Sequence, residues 1–189
     1  MDRAAHTRDT ARTKRAILDG AARALRTHGA AVSLTAIAQE AGVSKGGLLH
    51  HYTSKEALVV ALAQDSIEQF REHVERCVDL SENVPGKLLR GYVRALCDEI
   101  AVPQAGREHA SLWGSLTLLP EVVRLAEEDD ESWRAAFLAD GLHPDRVLVV
   151  ARAADGLAGA PHYGAVPGAE EIERTRTLLL QMTLSNGPL

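Results

Sequence analysis

Residues 33–58 read SLTAIAQEAGVSKGGLLHHYTSKEAL, and this stretch decides the fold of the N-terminal part of the chain. Ser33 and Ser44 each precede a short run of helix-forming residues, and serine is favoured at a helix N-terminus because its hydroxyl accepts a backbone N–H. Gly42 separates the two runs, and glycine adopts the left-handed backbone of a tight turn at low cost. The pattern therefore predicts two short helices joined by a tight turn, which is the helix-turn-helix unit.

The residues before this unit predict a further helix, over about 12–28. Its apolar residues recur on one face at helical spacing, and they are Ile17, Leu18, Ala21, Ala22 and Leu25. We expect the two short helices over about 34–41 and 45–51. Ser54 is expected to cap a fourth, longer helix that reaches Val78.

The rest of the chain is rich in alanine and leucine, and no segment alternates in the manner of a strand. The fold class is therefore predicted to be all-α. We expect a three-helix helix-turn-helix head over residues 1–56 and a helical body over residues 57–189.

The exposed face of the predicted helix 45–51 is suited to the major groove of DNA. Lys45, His50 and His51 can donate hydrogen bonds to bases or phosphates, while Gly46 and Gly47 let the backbone approach the duplex. The charge distribution agrees with this interpretation, because residues 1–56 carry nine basic and five acidic side chains within a chain of formal net charge −5. A basic head on an acidic body is what a protein needs when only one end meets phosphates.

Residues 12–62 resemble the head of the tetracycline-repressor (TetR) family of bacterial regulators. The resemblance is carried by RAIL at 15–18, LTAIAQEAGVS at 34–44 and LLHHYTSKEAL at 48–58. The sequence departs from the commoner pattern at Leu49, where a tyrosine often stands, and at the pair of glycines before Leu48. With fewer side chains to reach bases, we expect readout to depend on Lys45, His50 and DNA shape.

The resemblance implies which residues contact DNA. Base contacts are implied for Lys45, Gly46, Gly47, Leu49 and His50, and phosphate contacts for Ser33, Thr35, His51, Tyr52 and Lys55. Ser44 completes the predicted DNA-binding set, and Arg12 is expected to add a contact from the N-terminal arm.

The resemblance also implies a body that forms a homodimer and encloses a small-molecule pocket. The dimer interface is predicted on two late helices, at Val147, Val150, Ala151, Ala154, Leu157, Ala158, Ile172 and Leu179. The alternative is that these helices only complete the core of one protomer. A two-fold dimer would bind a palindromic operator with half-sites about 34–36 Å apart.

Candidate pocket residues are the large or polar side chains of the body helices. They are Phe70, Tyr92, Leu96, His109, Trp113, Leu116, Trp133 and Phe137. The alternative for each is an ordinary place in the core. Because the chain has seven aromatic residues, we expect an aliphatic-walled pocket rather than a cage for flat polyaromatic drugs. The effector is unidentified, and repression rather than activation follows from the family tendency alone.

Other classes of function find little support in the sequence. No hydrolase, protease or nucleotide-binding signature occurs, so we expect no catalytic site and no cofactor. His73 and Cys77 have the spacing of two metal ligands, but the sequence offers no third ligand nearby, so no metal is expected. The acidic run at 127–131 is predicted to be a solvated helix face.

The chain has no apolar run long enough to span a bilayer and no secretory signal at its N-terminus, so no membrane partner is expected and a cytoplasmic location is predicted. A protein–protein adaptor with a degenerate helix-turn-helix, and a DNA-binding regulator without ligand control, remain as alternatives.

Overall fold

A computed structural model describes residues 3–189, with side-chain detail for residues 9–102 and 104–189. The α-helices are α1 (Arg3–His28), α2 (Leu34–Glu40), α3 (Lys45–His51), α4 (Lys55–Cys77), α5 (Lys87–Ile100), α6 (Pro103–Leu116), α7 (Pro120–Ala139), α8 (Pro144–Gly159) and α9 (Ala169–Met182). Short 3-10 helices follow α1 and α8, at Gly29–Ala31 and Ala160–Tyr163. Residues 3–189 contain no strand, and the predicted all-α fold is confirmed.

Three serine caps set the starts of α2, α3 and α4. The hydroxyl of Ser33 accepts the N–H of Ala36 at 3.2 Å, and the hydroxyl of Ser44 accepts that of Gly47 at 3.0 Å. Ser54 caps α4 in the same way, accepting the N–H of the residue three positions later at 3.1 Å. These bonds satisfy N–H groups that have no partner within the helix. The predicted start of each helix is therefore confirmed.

Gly42 adopts the left-handed conformation that the turn was predicted to need, with φ of +68°. The first helix, in contrast, begins well before Arg12, at Arg3. The prediction started at Arg12 because apolar periodicity starts there. The residues before it contain no glycine or proline to break the helix, so it continues to the start of the described chain.

The described residues divide into two compact units. Unit 1 comprises Met1–Ser66 and Ser111–Leu125, and unit 2 comprises Ile67–Ala110 and Ala126–Leu189. The core of unit 1 includes residues from well outside the predicted head, at Leu58, Leu62, Leu112, Leu116 and Val122. The structural units therefore differ from the predicted division at residue 56, since apolar residues of α4, α6 and α7 complete the core of the head.

The core of unit 2 contains most of the residues that were predicted to form the dimer interface. Its fully buried members include Val147, Val150, Ala154, Ile172 and Leu179, and Ala151, Leu157 and Ala158 pack half-buried against it. Side chains buried in their own protomer cannot contact a second copy. The choice of the five buried residues is thus corrected, because the most apolar face of each helix packs into its own core. The three half-buried residues stay predictions.

Unit 2 also encloses a charged side chain, Arg90 of α5, which is 2% exposed. Its guanidinium donates to the carboxylate of Glu82 at 2.5 Å, to the carbonyl of Pro85 at 2.9 Å and to Thr183 after α9 at 3.3 Å. A buried cation is tolerated only when it is paired and hydrogen-bonded. Arg90 therefore links the loop before α5 to the end of α9 through its hydrogen bonds.

Within residues 3–189, no helix is long and apolar enough to cross a membrane.

The close approach of α1 to the end of α2 at Gly20 predicts that one added methyl group lowers the stability of unit 1. A Cβ at Gly20 of α1 would lie 2.6–2.7 Å from backbone and side-chain atoms of Ala41. Gly20→Ala is expected to lower the free energy of unfolding by about 1–3 kcal/mol, because the overpacked helices must move apart. Chemical denaturation followed by circular dichroism measures this loss.

Gly114→Ala on α6 is the matched control, since nothing lies within 4 Å of its added Cβ. That variant should be as stable as the native protein or up to about 1 kcal/mol more stable, because alanine is the better helix former. Equal stability of Gly20→Ala and the native chain would contradict the close crossing.

Candidate DNA-contacting face and ligand cavity

Helix α3 is anchored to unit 1 by one side chain and exposes the others. Leu48 is fully buried in the unit 1 core, with Ile37 and Ala38 of α2 also buried. His50 projects from the side opposite Leu48, and both His50 and Lys45, at the start of α3, are exposed to solvent. A short helix held by its inner face and free on its outer face is the arrangement that enters a major groove.

The predicted DNA-binding residues form one set around this helix. Those exposed are Ser33, Thr35, Ser44, Lys45, Gly46, Leu49 and His50, and those half-buried are Gly47, His51, Tyr52 and Lys55. The rings of His50 and His51 meet edge to face with centroids 5.4 Å apart. The set offers hydroxyl, imidazole and ammonium groups, each of which can donate to phosphate or base oxygens.

Lys55 is held in place by a backbone contact that the sequence did not reveal. Its Nζ donates to the carbonyl of Ala30, in the 3-10 turn after α1, at 2.5 Å. A lysine ammonium has three N–H groups, so two remain for a phosphate. The contact therefore orients the cation at the start of α4.

An ion pair joins α1 to α4 within unit 1. The guanidinium of Arg15 donates hydrogen bonds to both carboxylate oxygens of Asp65 at 2.7 Å. It also donates to the carboxylate of Asp19 at 3.0 Å. The hydrogen bond to Asp65 is the main cause of a raised pKa of Arg15. Burial, and secondarily Asp65, raises the pKa of Tyr52, so this phenol remains a hydrogen-bond donor. Sequence reasoning missed this pair because its members lie fifty residues apart.

Unit 2 contains a cavity of about 270 Å³ bordered by α5, α7 and α8. The sequence predicted an aliphatic wall, but this cavity has an aromatic wall formed by Tyr92, Trp133 and Phe137, whose ring centroids lie 5.1–5.6 Å apart. Its remaining lining residues are Asp130, Arg134, Leu138, Pro144, Asp145, Val147, Leu148, Ala151, Arg152 and Asp155. An apolar cavity with a few placed polar groups is typical of small-molecule sites.

The polar groups of the cavity form a connected network. The hydroxyl of Tyr92 donates to Asp155 at 2.7 Å. Arg152 donates to both oxygens of Asp130 at 3.0 Å and to Asp155 at 3.3 Å. Burial raises the pKa of Asp155, whereas the hydrogen bond from Arg152 lowers the pKa of Asp130. Burial also raises the pKa of Tyr92, which keeps its hydroxyl protonated as a donor.

Only some of the predicted pocket residues meet at this cavity. Tyr92, Trp133 and Phe137 line it, and Phe70 packs behind them with its ring 5.4 Å from Tyr92. His109 pairs with Glu99 at 3.1 Å instead.

Three further candidates lie outside the cavity lining. Leu116 is fully buried in the core of unit 1, Trp113 packs half-buried against that core, and Leu96 packs half-buried against the core of unit 2. An ordinary place in the core therefore describes Leu116, while Trp113 and Leu96 stay predictions.

The acidic run at 127–131 is not wholly the solvated face that was predicted. Asp130 lines the cavity, and Asp129 pairs with Arg71 and accepts the indole N–H of Trp133 at 3.1 Å. The guanidinium of Arg71 in turn lies 4.7 Å from the centroid of that indole ring. The prediction is corrected for these two aspartates, because their partners come from helices distant in the chain.

Comparison with known families and structures agrees with both parts of the molecule. The model described as "Bacterial regulatory proteins, tetR family" matches residues 17–62. The model described as "Tetracyclin repressor-like, C-terminal domain" matches residues 86–184, which is more than half of the chain. Comparison with curated protein sequences gives no match.

Solved structures of similar fold include several bacterial regulators. A transcriptional regulator from Rhodococcus sp. Rha1 has a TM-score of 0.72 and 18% identity, covering 90% of this chain and 95% of its own. A TetR family member from Streptomyces coelicolor A3 has a TM-score of 0.70 and 22% identity, covering 90% and 98%. The multidrug-binding protein EbrR, complexed with malachite green, has a TM-score of 0.70 and 23% identity, covering 90% and 97%.

The fold and the exposed α3 define a helix-turn-helix DNA-binding transcription regulator. The two family matches make the assignment specific: the chain belongs to the TetR family.

The phosphate role of Lys55 predicts a change in the salt dependence of DNA binding. Lys55→Ala should weaken binding to every DNA sequence. It should also reduce the slope of log K against log salt concentration by about one per protomer, because one fewer counterion is released. Fluorescence anisotropy with a labelled duplex at several salt concentrations measures that slope.

Arg107→Ala on α6 is the matched control, since it removes one exposed positive charge from unit 2. Its slope should equal that of the native protein. If Lys55→Ala, with native helix content, also kept the native slope, Lys55 would have no phosphate contact.

Proposed function

We propose that this regulator is a ligand-responsive repressor that binds a palindromic operator as a homodimer and leaves it when a small molecule occupies the unit 2 cavity. The observation that supports DNA binding is the exposed part of α3, with Lys45 and His50 open to solvent and Lys55 half-buried at the start of α4. An operator on chromosomal DNA implies that the protein acts in the cytoplasm.

The exposed faces of α8 and α9 support the homodimer. Val149, Ala153 and Gly156 share one exposed face of α8, where Val149 is 41% exposed. Leu178 on α9 is 52% exposed. Small and apolar side chains let helices approach closely, and two helices from each copy can form a four-helix interface. The proposed interface thus uses the predicted helices, but faces other than those chosen from the sequence.

The cavity favours a ligand with an aromatic body and a positive charge. Its aromatic wall supplies ring faces, and its charged lining residues comprise three aspartates and two arginines, a net charge of −1. The raised pKa of Asp155 shows that burial opposes its charge, and a bound cation would relieve that cost. EbrR, which shares the fold, binds malachite green. An aromatic cation is therefore the proposed effector class for this chain.

Helix α4 supplies a route from ligand to DNA. It begins at Lys55 in unit 1 and ends at Cys77 in unit 2, so one helix contributes residues to both units. A ligand that prefers one arrangement of unit 2 would shift the population of the whole protein toward it. Release follows if that arrangement holds the two copies of α3 at the wrong separation for the operator.

Selection of bound sequences from a random duplex library, with purified full-length protein, tests the DNA-binding proposal. We expect one palindrome with half-sites centred about 34–36 Å apart, because two copies of α3 meet successive major grooves. Sedimentation of the selected complex should give two protomers per duplex.

Ala153→Arg tests the interface within the same experiment. A charge on the exposed face of α8 should split the dimer and abolish the preference for a palindrome. Ala135→Arg, at an exposed position of α7, is the matched control and should select the native palindrome. No enrichment of any sequence by the native protein would favour the adaptor alternative.

Malachite green tests the effector class, with fluorescence titration for binding and anisotropy for operator release. Ala151→Phe should abolish both responses, because the added ring fills the cavity that Ala151 lines. Asp155→Asn should weaken dye binding by about tenfold, since it removes a charge but keeps an acceptor for Tyr92. Operator affinity without dye should be unchanged in both variants.

Ala135→Phe is the control for added bulk, because Ala135 is exposed and does not line the cavity. It should bind dye as the native protein does. Failure of the native protein to bind malachite green would remove the aromatic cation as the effector class and leave the operator proposal standing.

A further inference from the structure

Three groups that commonly bind metals converge at the C-terminal end of α4. His73 and Cys77 lie on α4, and Asp98 lies on α5 within the same unit. One nitrogen of the histidine, the sulfur of the cysteine and one carboxylate oxygen all lie within 4.8 Å of one another. The sequence indicated the first two groups only, because Asp98 is distant in the chain and carries no recognisable spacing to them.

The three groups lie near one another but further apart than the ligand atoms around a bound tetrahedral ion. Tetrahedral zinc with nitrogen, sulfur and oxygen ligands holds the ligand atoms about 3.4–3.6 Å apart. The sulfur of Cys77 already lies 4.0 Å from Oδ2 of Asp98. His73 and Cys77 are one helical turn apart and therefore project from the same face of α4. Side-chain rotations that close the remaining gaps would bring all three groups to bonding distance.

Asp98 is oriented by a third helix. Arg176 of α9 donates to Oδ1 of Asp98 at 2.6 Å. The other oxygen, Oδ2, is left facing Cys77. Carboxylates that ligate metals are usually held in this way by an outer hydrogen bond, which fixes the free oxygen toward the ion.

The imidazole of His73 has no polar partner among the residues whose side chains are described. Its ring is half-buried and takes part in no hydrogen bond or ion pair there. A thiol–carboxylate contact alone would account for Cys77 and Asp98 but leave this imidazole unused. An ion between the three groups gives each of them a partner.

We propose that His73, Cys77 and Asp98 bind one divalent transition-metal ion of borderline softness, with Zn²⁺ as the fitting example. A thiolate and an imidazole favour such ions over Mg²⁺ and Ca²⁺, which prefer oxygen ligands alone. Three protein ligands leave a fourth tetrahedral position for water. The ion would join α4 to α5, and binding releases the thiol proton to solvent.

Co²⁺ titration of the reduced, metal-free, full-length protein tests this site, because Co²⁺ substitutes for Zn²⁺ and is coloured. We expect saturation at one ion per protomer, with a thiolate-to-cobalt charge-transfer band and the strong visible bands of a four-coordinate ion. Added Zn²⁺ should remove both. Absence of a charge-transfer band in the native protein would overturn the proposal.

Variants then assign the ligands. Cys77→Ser should lose the charge-transfer band, while Cys97→Ser, the matched control at the other cysteine, should keep it. His73→Asn and Asp98→Asn should each weaken Co²⁺ binding by at least about tenfold. Circular dichroism of every variant without metal should match the native spectrum. A band that survives Cys77→Ser, or native affinity in Asp98→Asn, would contradict the assignment.

Discussion

The close crossing of α1 and α2 is the constraint on which the DNA-contacting part depends. Gly20 has no side chain, and Ala41 at the end of α2 fills the space that a Cβ would need. Gly42 then reverses the chain with a positive φ, and Leu48 anchors α3 by its inner face. Without this approach α2 could not reach α1, and the outward face of α3 would have no fixed direction.

The structure of unit 2 combines an apolar, aromatic core with a small number of buried charged side chains. Tyr92, Trp133 and Phe137 pack ring to ring, and Asp155 is held among them by a phenol and a guanidinium. Burial disfavours the charge of Asp155, as its raised pKa shows. The buried charge of Asp155, only partly compensated and next to the apolar cavity, lowers the stability of the free protein. A ligand that complements this charge and fills the cavity can restore that stability.

The three functional proposals lie at different places along α4 and around it. The start of the helix, at Lys55, belongs to the predicted DNA-binding residues, and its end, at Cys77, belongs to the proposed metal site. The cavity is formed by α5, α7 and α8. Because α5 contributes Tyr92 to the cavity and Asp98 to the metal site, both proposals concern the arrangement of one helix. They use different side chains, so each can fail without the other.

The sequence by itself determined the helix-turn-helix and predicted the residues proposed to contact DNA, because the caps and the turn depend on local chemistry. Serine caps, a glycine in a turn and a leucine between exposed neighbours act over a few residues and are visible as spacing. The family of the chain was visible for the same reason.

Only the tertiary structure decided which face of α8 packs inward, which aspartates of the acidic run face a cavity, and that Asp98 approaches His73. Those outcomes depend on contacts between residues far apart in the chain, and helical periodicity cannot distinguish a face buried in its own protomer from one that awaits a partner.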